Sequence, residues 1–410
     1  MENREPEDIV RDVIKTCVNC DFCEFHMQES PCLLFPELYR LYQKERNTGE
    51  KTNSYELRCL VDLCNGCAIC PCDIIRSEIR KAKNAFILRD GLKSSTWFLE
   101  RVELIGRLSG VFPTACNRLL RNPWTRKVIK HSLGIHEKRR FPLFKKENFN
   151  KWLRRKGRHF RPDGPRRKVA YFAGCTGQYL FPGVPKAVVK VLMHNHIEVL
   201  VPEQRCCGMP PLLEGDRILT LRLVAENVER LYEAVEDDWD IVCSCPTCGY
   251  MLKELWKNED YFAPISRRKR IRIASRTFDL GEYLARLHEQ GEIDTAFAPV
   301  STDTVYFPPC HLRAQNIGEP YVVLLEGIPQ LGIKKIAGPF NCCGAAGIIG
   351  FKREFHAVSI KMGQSLMSSI GKMHPEQILT DCLSCRLQFQ EILPYPVWHP
   401  VEILERAYGL

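Results

Sequence analysis

Apolar positions follow two regimes along this chain. Up to about residue 133 they recur at helical spacing. Leu34, Leu38, Leu41 and Tyr42 mark one helix; Ile75, Ile79, Ala82 and Phe86 mark another, with Asp73 as its N-cap. Trp97, Phe98, Val102, Ile105 and Leu108 share a helical face, with Arg101, Glu103 and Arg107 off it. Trp124, Val128, Ile129 and Leu133 form a second amphipathic stretch, closed by Gly134. From Lys168 short apolar runs alternate with helical ones. Residues 169–173, 198–201 and 240–243 read as strands, and 185–197, 217–235 and 247–255 as helices. The order then repeats, with strands at 304–307 and 377–380 and helices near 321–325 and 355–370. Strand–helix alternation predicts a parallel sheet in each stretch.

The apolar fraction of 45% and charged fraction of 26% are those of a globular protein, and 410 residues suggest two to four domains. No apolar run approaches the roughly 18 residues of a membrane-spanning helix. The acidic, polar start lacks a secretory signal, so a cytosolic protein is expected, with its thiols reduced. There, 21 cysteines read first as metal or cluster ligands rather than disulfides.

The cysteines are patterned. Cys175, Cys206-Cys207-Gly208 and Cys245-x-x-Cys248 recur as Cys310, Cys342-Cys343-Gly344 and Cys382-x-x-Cys385, at offsets of 135, 136, 137 and 137 residues. Five thiols at matched spacing, twice over, point to two related units that each hold a metal centre. The strand pattern delivers them to the C-terminal edge of each sheet, where α/β folds bind ligands. Glycine after two adjacent ligands allows positive φ or a close approach. Gly344-Ala-Ala-Gly347-Ile-Ile-Gly350 is not a dinucleotide fingerprint and reads as a turn into a helix. His311 and His399 could contact a centre or substrate, although a hydrogen-bonded structural histidine is the commoner outcome. Cys116 and Cys243 read as ordinary buried thiols.

Nearer the start, Cys17-x-x-Cys20-x-x-Cys23 and Cys64-x-x-Cys67-x-x-Cys70 lie 47 residues apart. Such triplets wrap one face of a 4Fe–4S cube, and in two-cluster ferredoxins the fourth ligand comes from the other motif. The expected sets are Cys17, Cys20, Cys23 and Cys72, and Cys64, Cys67, Cys70 and Cys32, with Cys59 competing for either vacancy. Structural zinc is the weaker alternative, because zinc favours paired knuckles over triplets. With no β-like alternation around the triplets, an all-helical ferredoxin is expected.

Charge is concentrated. Residues 121–168 hold 18 Lys/Arg against Glu137, Glu147 and Asp163, a balance of +15 that leaves −5 for the rest of the chain. Amphipathic helices beside such clusters suit a peripheral membrane surface; a helical hairpin with a solvated basic tail is the alternative. Nucleic-acid binding is not expected, since no recognition motif accompanies the charge.

The repeated cysteine pattern resembles the CCG (cysteine-rich) domain of heterodisulfide reductases and related iron–sulfur oxidoreductases. Over residues 15–405 the chain resembles a group that contains the ferredoxin-plus-CCG component of anaerobic glycerol-3-phosphate dehydrogenase. That group also contains the catalytic component of membrane-linked heterodisulfide reductase and the iron–sulfur component of glycolate oxidase. The connector, Leu119-Leu-Arg-Asn-Pro-Trp124 to Leu133-Gly-Ile-His-Glu137, is most similar to the first. The resemblance implies a multidomain α+β protein: a helical two-cluster ferredoxin (1–90), a basic amphipathic connector (91–168) and α/β CCG units (169–300 and 301–410). It also implies two cubane 4Fe–4S clusters, with one or two further clusters, non-cubane in the catalytic relatives, on the ten CCG thiols. The implied role is an iron–sulfur oxidoreductase subunit on the cytoplasmic face of a membrane, relaying electrons from a flavin-containing dehydrogenase partner towards a quinone. The alternative is disulfide reduction at the CCG clusters. No Gly-x-Gly-x-x-Gly occurs, so a flavin or nicotinamide would sit on another chain.

Overall fold

The computed structural model describes residues 4–20, 27, 30–70, 72–140, 142–336, 338 and 340–410. Its first section is helical: α1 (Pro6–Val18), α2 (Leu34–Thr48), α3 (Ser54–Asp62) and α4 (Asp73–Asp90). α1 and α4 run antiparallel, because Arg89 near the end of α4 pairs with Glu7 at the start of α1 at 2.9 Å. Their apolar stripes close on one another, burying Val10, Val13, Ile75, Ile79 and Phe86 among others. Asp73 is the first residue of α4 rather than its cap; Cys72 holds the cap position.

A connector of short helices follows: α5 (Ser94–Leu99), α6 (Val102–Val111), α7 (Pro113–Arg121), α8 (Pro123–Ser132) and α9 (Phe149–Lys156). The apolar face expected over 97–108 as one helix is broken at Glu100–Arg101, where buried Glu100 pairs with Arg101. α7 buries none of its residues and α8 only Lys130, while Phe112 and Trp124 are 69% and 82% exposed. Cys116 on α7 is therefore half-buried rather than buried. Gly134, at φ +62°, ends α8 as its position suggested.

Two sheets complete the chain. The first comprises β1 (His159–Phe160), β2 (Arg167–Phe172), β3 (Ile197–Leu200), β4 (Asp240–Cys243) and β5 (Thr277–Asp279), in the order β1-β3-β2-β4-β5. Only β1 is antiparallel; it pairs with β3. The second, wholly parallel, contains β6 (Thr302–Tyr306), β7 (Leu331–Lys335), β8 (Gln377–Leu379) and β9 (Val397–Trp398), in the order β7-β6-β8-β9. The four parallel strands of each sheet thus have the same arrangement. β1, β5, β7 and β9 escaped the pattern reading, being two to five residues long or, in Leu-Gly-Ile-Lys-Lys, only half apolar.

One apolar core runs through both sheets, joining Tyr171, Val188, Val199 and Leu284 to Tyr306, Leu325, Leu379 and Leu404. Each sheet has a second core on its far side, around Phe172 and Trp256 in the first and Phe307 and Phe389 in the second.

Candidate iron–sulfur centres

The strand ends place the thiols. Beyond β2, Gly174 at φ +67° turns the chain into the helix Gly174–Tyr179, which carries Cys175. Gln204 fixes that turn: its carbonyl accepts the N–H groups of Ala173 (2.8 Å) and Gly174 (3.2 Å), and its amide donates to Tyr171 O (3.1 Å). The chain after β3 brings Cys206 and Cys207, and Gly208 at φ +94° starts the helix Met209–Glu214. After β4, Cys245 caps the helix Pro246–Lys253, which holds Cys248 one turn in.

The second sheet repeats this with Cys310 opening Cys310–Ala314, Cys342-Cys343-Gly344 beyond β7, and Cys382 capping Leu383–Ile392, which holds Cys385. Gly344 (φ +79°) lies against the helix His356–Lys372 so closely that a Cβ would collide with the Ser359 carbonyl and the Gly363 nitrogen. The Gly344–Gly350 segment leads into two 3₁₀ turns before that helix, not directly into it. Cys175 and Cys206 Sγ are 3.5 Å apart, and Cys343 and Cys385 Sγ 2.9 Å.

The two thiol sets open on one another. All ten CCG cysteines except Cys206 line a single cavity of about 190 Å³. Its remaining wall is largely apolar, with Leu99, Val102 and Ile105 from the connector, Phe144, and Ile348 and Ile349 from the second unit. Asn65 and Cys67 of the first section also reach it.

Cys67 faces two ways. It lines a second, smaller cavity together with Cys32, Cys64 and Cys70, so the structure brings Cys32 to the second triplet. Burial pushes the Cys32 thiol up to about 12, and the Cys64 and Cys70 thiols add to the rise. The antiparallel helices bring Cys17, at the end of α1, towards Cys72 at the start of α4; both, with Cys20, pack on the same core. Cys23 lies outside the described residues. Cys59 does not line the small cavity; it sits on α3, hydrogen-bonded to Tyr55.

Within each CCG set one thiol is favoured as thiolate. Hydrogen bonds from Cys206 and Cys248 bring Cys207 down to about 6, and those from Cys342 and Cys385 lower its counterpart Cys343. Cys245 falls to about 7 through its bond with Cys248. Behind the sets, Tyr171 OH lies 2.7 Å from Ser244 Oγ, and at the matching position Tyr306 OH donates to Asp381 at 2.8 Å. Burial pushes the Asp381 carboxyl up to about 7.

Both singled-out histidines are hydrogen-bonded. His311 joins Thr247 Oγ1 (2.9 Å) to Gly66 O (3.1 Å) and stacks on Tyr250, tying both units to the Cys64–Cys67 loop, and it also touches the shared cavity. His399 Nε2 donates to Ser244 O at 2.9 Å, and Nδ1 accepts the Val401 N–H, capping the helix Pro400–Ala407. Burial drives its imidazole down to about 3.

Other positioning residues gave no signal in the sequence. Glu103 Oε2 accepts the Cys206 N–H at 3.2 Å, and Asn227 donates to Cys206 O at 2.9 Å. Lys83 donates to Cys64 O (2.8 Å) and Leu213 O (2.7 Å). Arg139, in the midst of the basic segment, is buried behind the second set, donating to Gly350 O (2.6 Å), Ser359 and Gln388 and pairing with Glu391 (2.9 Å). Lys83 and Arg139 were hidden by their chemistry, because a cation in a charged stretch ordinarily faces water.

Among the described residues no group of three or more His, Cys, Asp or Glu forms a site for a single metal ion. The donors present are buried thiols around cavities, a soft set suited to iron–sulfur clusters.

Comparison with known proteins agrees. The cysteine-rich domain family CCG matches residues 169–253 and 304–390. A component of the anaerobic glycerol-3-phosphate dehydrogenase of Escherichia coli (strain K12) is 26% identical over 312 residues, 75% of this chain and 76% of that one. A component of the fumarate reductase (CoM/CoB) of Methanothermobacter marburgensis is 29% identical over 60% of this chain and 47% of its own length. Lactate utilization protein A of an Exiguobacterium species is 28% identical over 58% of this chain and 95% of its own. A hypothetical protein from Helicobacter pylori shares the fold at a TM-score of 0.50 and 10% identity, over 98% of this chain and 72% of its own.

Two CCG domains whose thiols gather at the ends of parallel strands define an iron–sulfur protein of the oxidoreductase class. More narrowly, the chain belongs with the iron–sulfur components related to that of anaerobic glycerol-3-phosphate dehydrogenase and to those of the heterodisulfide-reductase type.

Proposed function

We propose that this chain is the electron-transferring iron–sulfur subunit of a dehydrogenase complex. It is organised as a helical two-cluster section (1–90), a connector (91–168) and two CCG units (169–300, 301–410). The observation that carries the reading is the position of Cys67 in both cavities, which puts the second N-terminal thiol set beside the second CCG set. Cys17, Cys20, Cys23 and Cys72 would hold one cubane, and Cys32, Cys64, Cys67 and Cys70 the other. Cys175, Cys206, Cys207, Cys245 and Cys248, and Cys310, Cys342, Cys343, Cys382 and Cys385, would hold the remaining centres. The clusters would supply one-electron storage in steps. Electrons from a flavin-containing partner enter at the N-terminal thiols and leave through the CCG units to a membrane quinone.

No described helix is long and apolar enough to cross a membrane. The uncovered α7–α8 surface, with Trp124 and Phe112 outward, supports docking at the cytoplasmic face. The cavity between the CCG sets favours a second reading, in which a small disulfide is held between them and cleaved. Anaerobic purification with iron, sulfide and EPR analysis tests the proposal: a brown protein with signals from both cubanes supports it, and a folded, iron-free chain refutes it. Turnover of a small disulfide by the isolated, reduced chain would favour the second reading.

A further inference from the structure

Away from the thiols, α7, α8 and residues 137–143 enclose an open cleft of about 690 Å³. Arg121, Arg126, Lys130, Lys138, Arg139 and Arg140 line it, against the single carboxylate of Glu137. Two of the cations are committed: Arg139 pairs with Glu391, and Lys130 donates to the Glu137 carbonyl. No side-chain hydrogen bond or ion pair holds Arg121, Arg126, Lys138 or Arg140 among the described residues. Like charges gathered without counter-charge repel one another, so the arrangement costs stability unless an anion sits among them. Guanidinium groups present planar forks that match phosphate oxygens, and a lysine adds a point charge. Leu120 and Leu143 supply the apolar part of the wall. The volume exceeds what a bare phosphate fills, leaving room for an organic substituent.

We propose that this cleft binds a phosphate ester, with Arg121, Arg126, Lys138 and Arg140 gripping the phosphate oxygens. The chemistry is shared by a soluble phosphate ester and an anionic phospholipid headgroup. Trp124 and Val128 are spaced to face away from Arg126 and Lys130 on α8, so the cleft and the apolar surface of that helix are separate features. The proposal is independent of where electrons enter and leave.

The test uses the full chain with its clusters reconstituted anaerobically. Glycerol phosphate is titrated by calorimetry, and sedimentation is run with phosphatidylcholine vesicles, with and without about a third phosphatidylglycerol. The Arg126→Ala/Arg140→Ala variant should weaken binding of the competent probe by roughly 25-fold, at about fivefold per cation. Arg154→Ala/Lys156→Ala, which removes the same charge from exposed α9 positions, should leave it within about twofold. Calorimetric binding assigns a soluble ester, and vesicle binding that needs phosphatidylglycerol assigns a lipid headgroup. The proposal is overturned if neither probe binds, if the α9 variant loses as much as the cleft variant, or if vesicles bind equally without phosphatidylglycerol and the ester does not. Lys138→Ala serves as a second cleft variant should the double variant misfold, as judged by its melting curve.

Discussion

Replacing Gly344 by Ala puts a methyl group where the structure has none to spare. The residue holds φ +79°, which costs an L-residue about 1–2 kcal/mol. The new Cβ also meets backbone, the Ser359 carbonyl and the Gly363 nitrogen, which cannot swing aside as a side chain can. Overpacking of that kind adds about 1–3 kcal/mol, for a total of about 2–5 kcal/mol. Gly208 is the matched control in the first unit. At φ +94° it carries the same backbone cost, but its Cβ would meet the Val224 and Met251 methyl groups at 3.2 and 3.4 Å, which can yield. Gly208→Ala should therefore cost only about 1–2 kcal/mol. Gly371, near the end of its helix with nothing within 4 Å, should gain up to about 1 kcal/mol as Ala. Scan-rate-matched melting of the cluster-loaded protein reads the series, because unfolding with cluster loss is irreversible. At about 2 °C per kcal/mol, Gly344→Ala should melt roughly 4–10 °C below wild type, Gly208→Ala roughly 2–4 °C below, and Gly371→Ala at or slightly above it. A Gly344→Ala protein that melts with wild type, or above Gly208→Ala, would refute the close-contact account.

Three other outcomes are expected. Cys32→Ser should strip about one cluster's iron from the anaerobic protein while Cys59→Ser leaves iron unchanged, and the reverse result would remove Cys32 from the ligand set. His399 should make stability acid-sensitive. Its folded pKa of about 3 lies below the usual 6.5, so as pH falls from 6.5 the unfolded chain takes up a proton that the folded chain excludes. Wild type should lose about 2 kcal/mol more than His399→Gln between pH 6.5 and about 5, measured by anaerobic urea titration, and equal slopes would contradict the buried neutral imidazole. Lys352→Met should cost about 3–5 kcal/mol in the same titration by leaving buried Glu214 unpaired on the cavity wall, and Glu214→Leu in the same chain should restore most of it.

The repeated thiol spacing carried the most information, since ligands spaced around a strand end and one helical turn leave a fixed imprint on the chain. Core strands such as β2 and β4 were visible because burial on both faces makes them uniformly apolar. β7 was not, since Leu331, Gly332 and Ile333 are only half-buried and both lysines are exposed. Nor could spacing show that the two sets look into one cavity, which depends on the core joining Tyr171 to Tyr306 and on Leu99 and Val102 reaching over from the connector. The basic segment misled in a particular way: read as one solvated or lipid-facing stretch, it contains Arg139 and Lys130 as internal struts beside unpaired cations.

Because matching thiols from both halves meet on one cavity and one core crosses between the sheets, neither half is a finished structure by itself. A half-length progenitor would have had to associate as a symmetric pair, presenting the same patch twice to build the pocket. Fusion into one polypeptide released that constraint. Ser244 opposite Tyr171 and Asp381 opposite Tyr306 record the divergence, as do Asp279 and His399, which cap corresponding helices with different chemistry. A molecule of this kind can give its two ends unequal electron affinities, a direction that an identical pair could not possess.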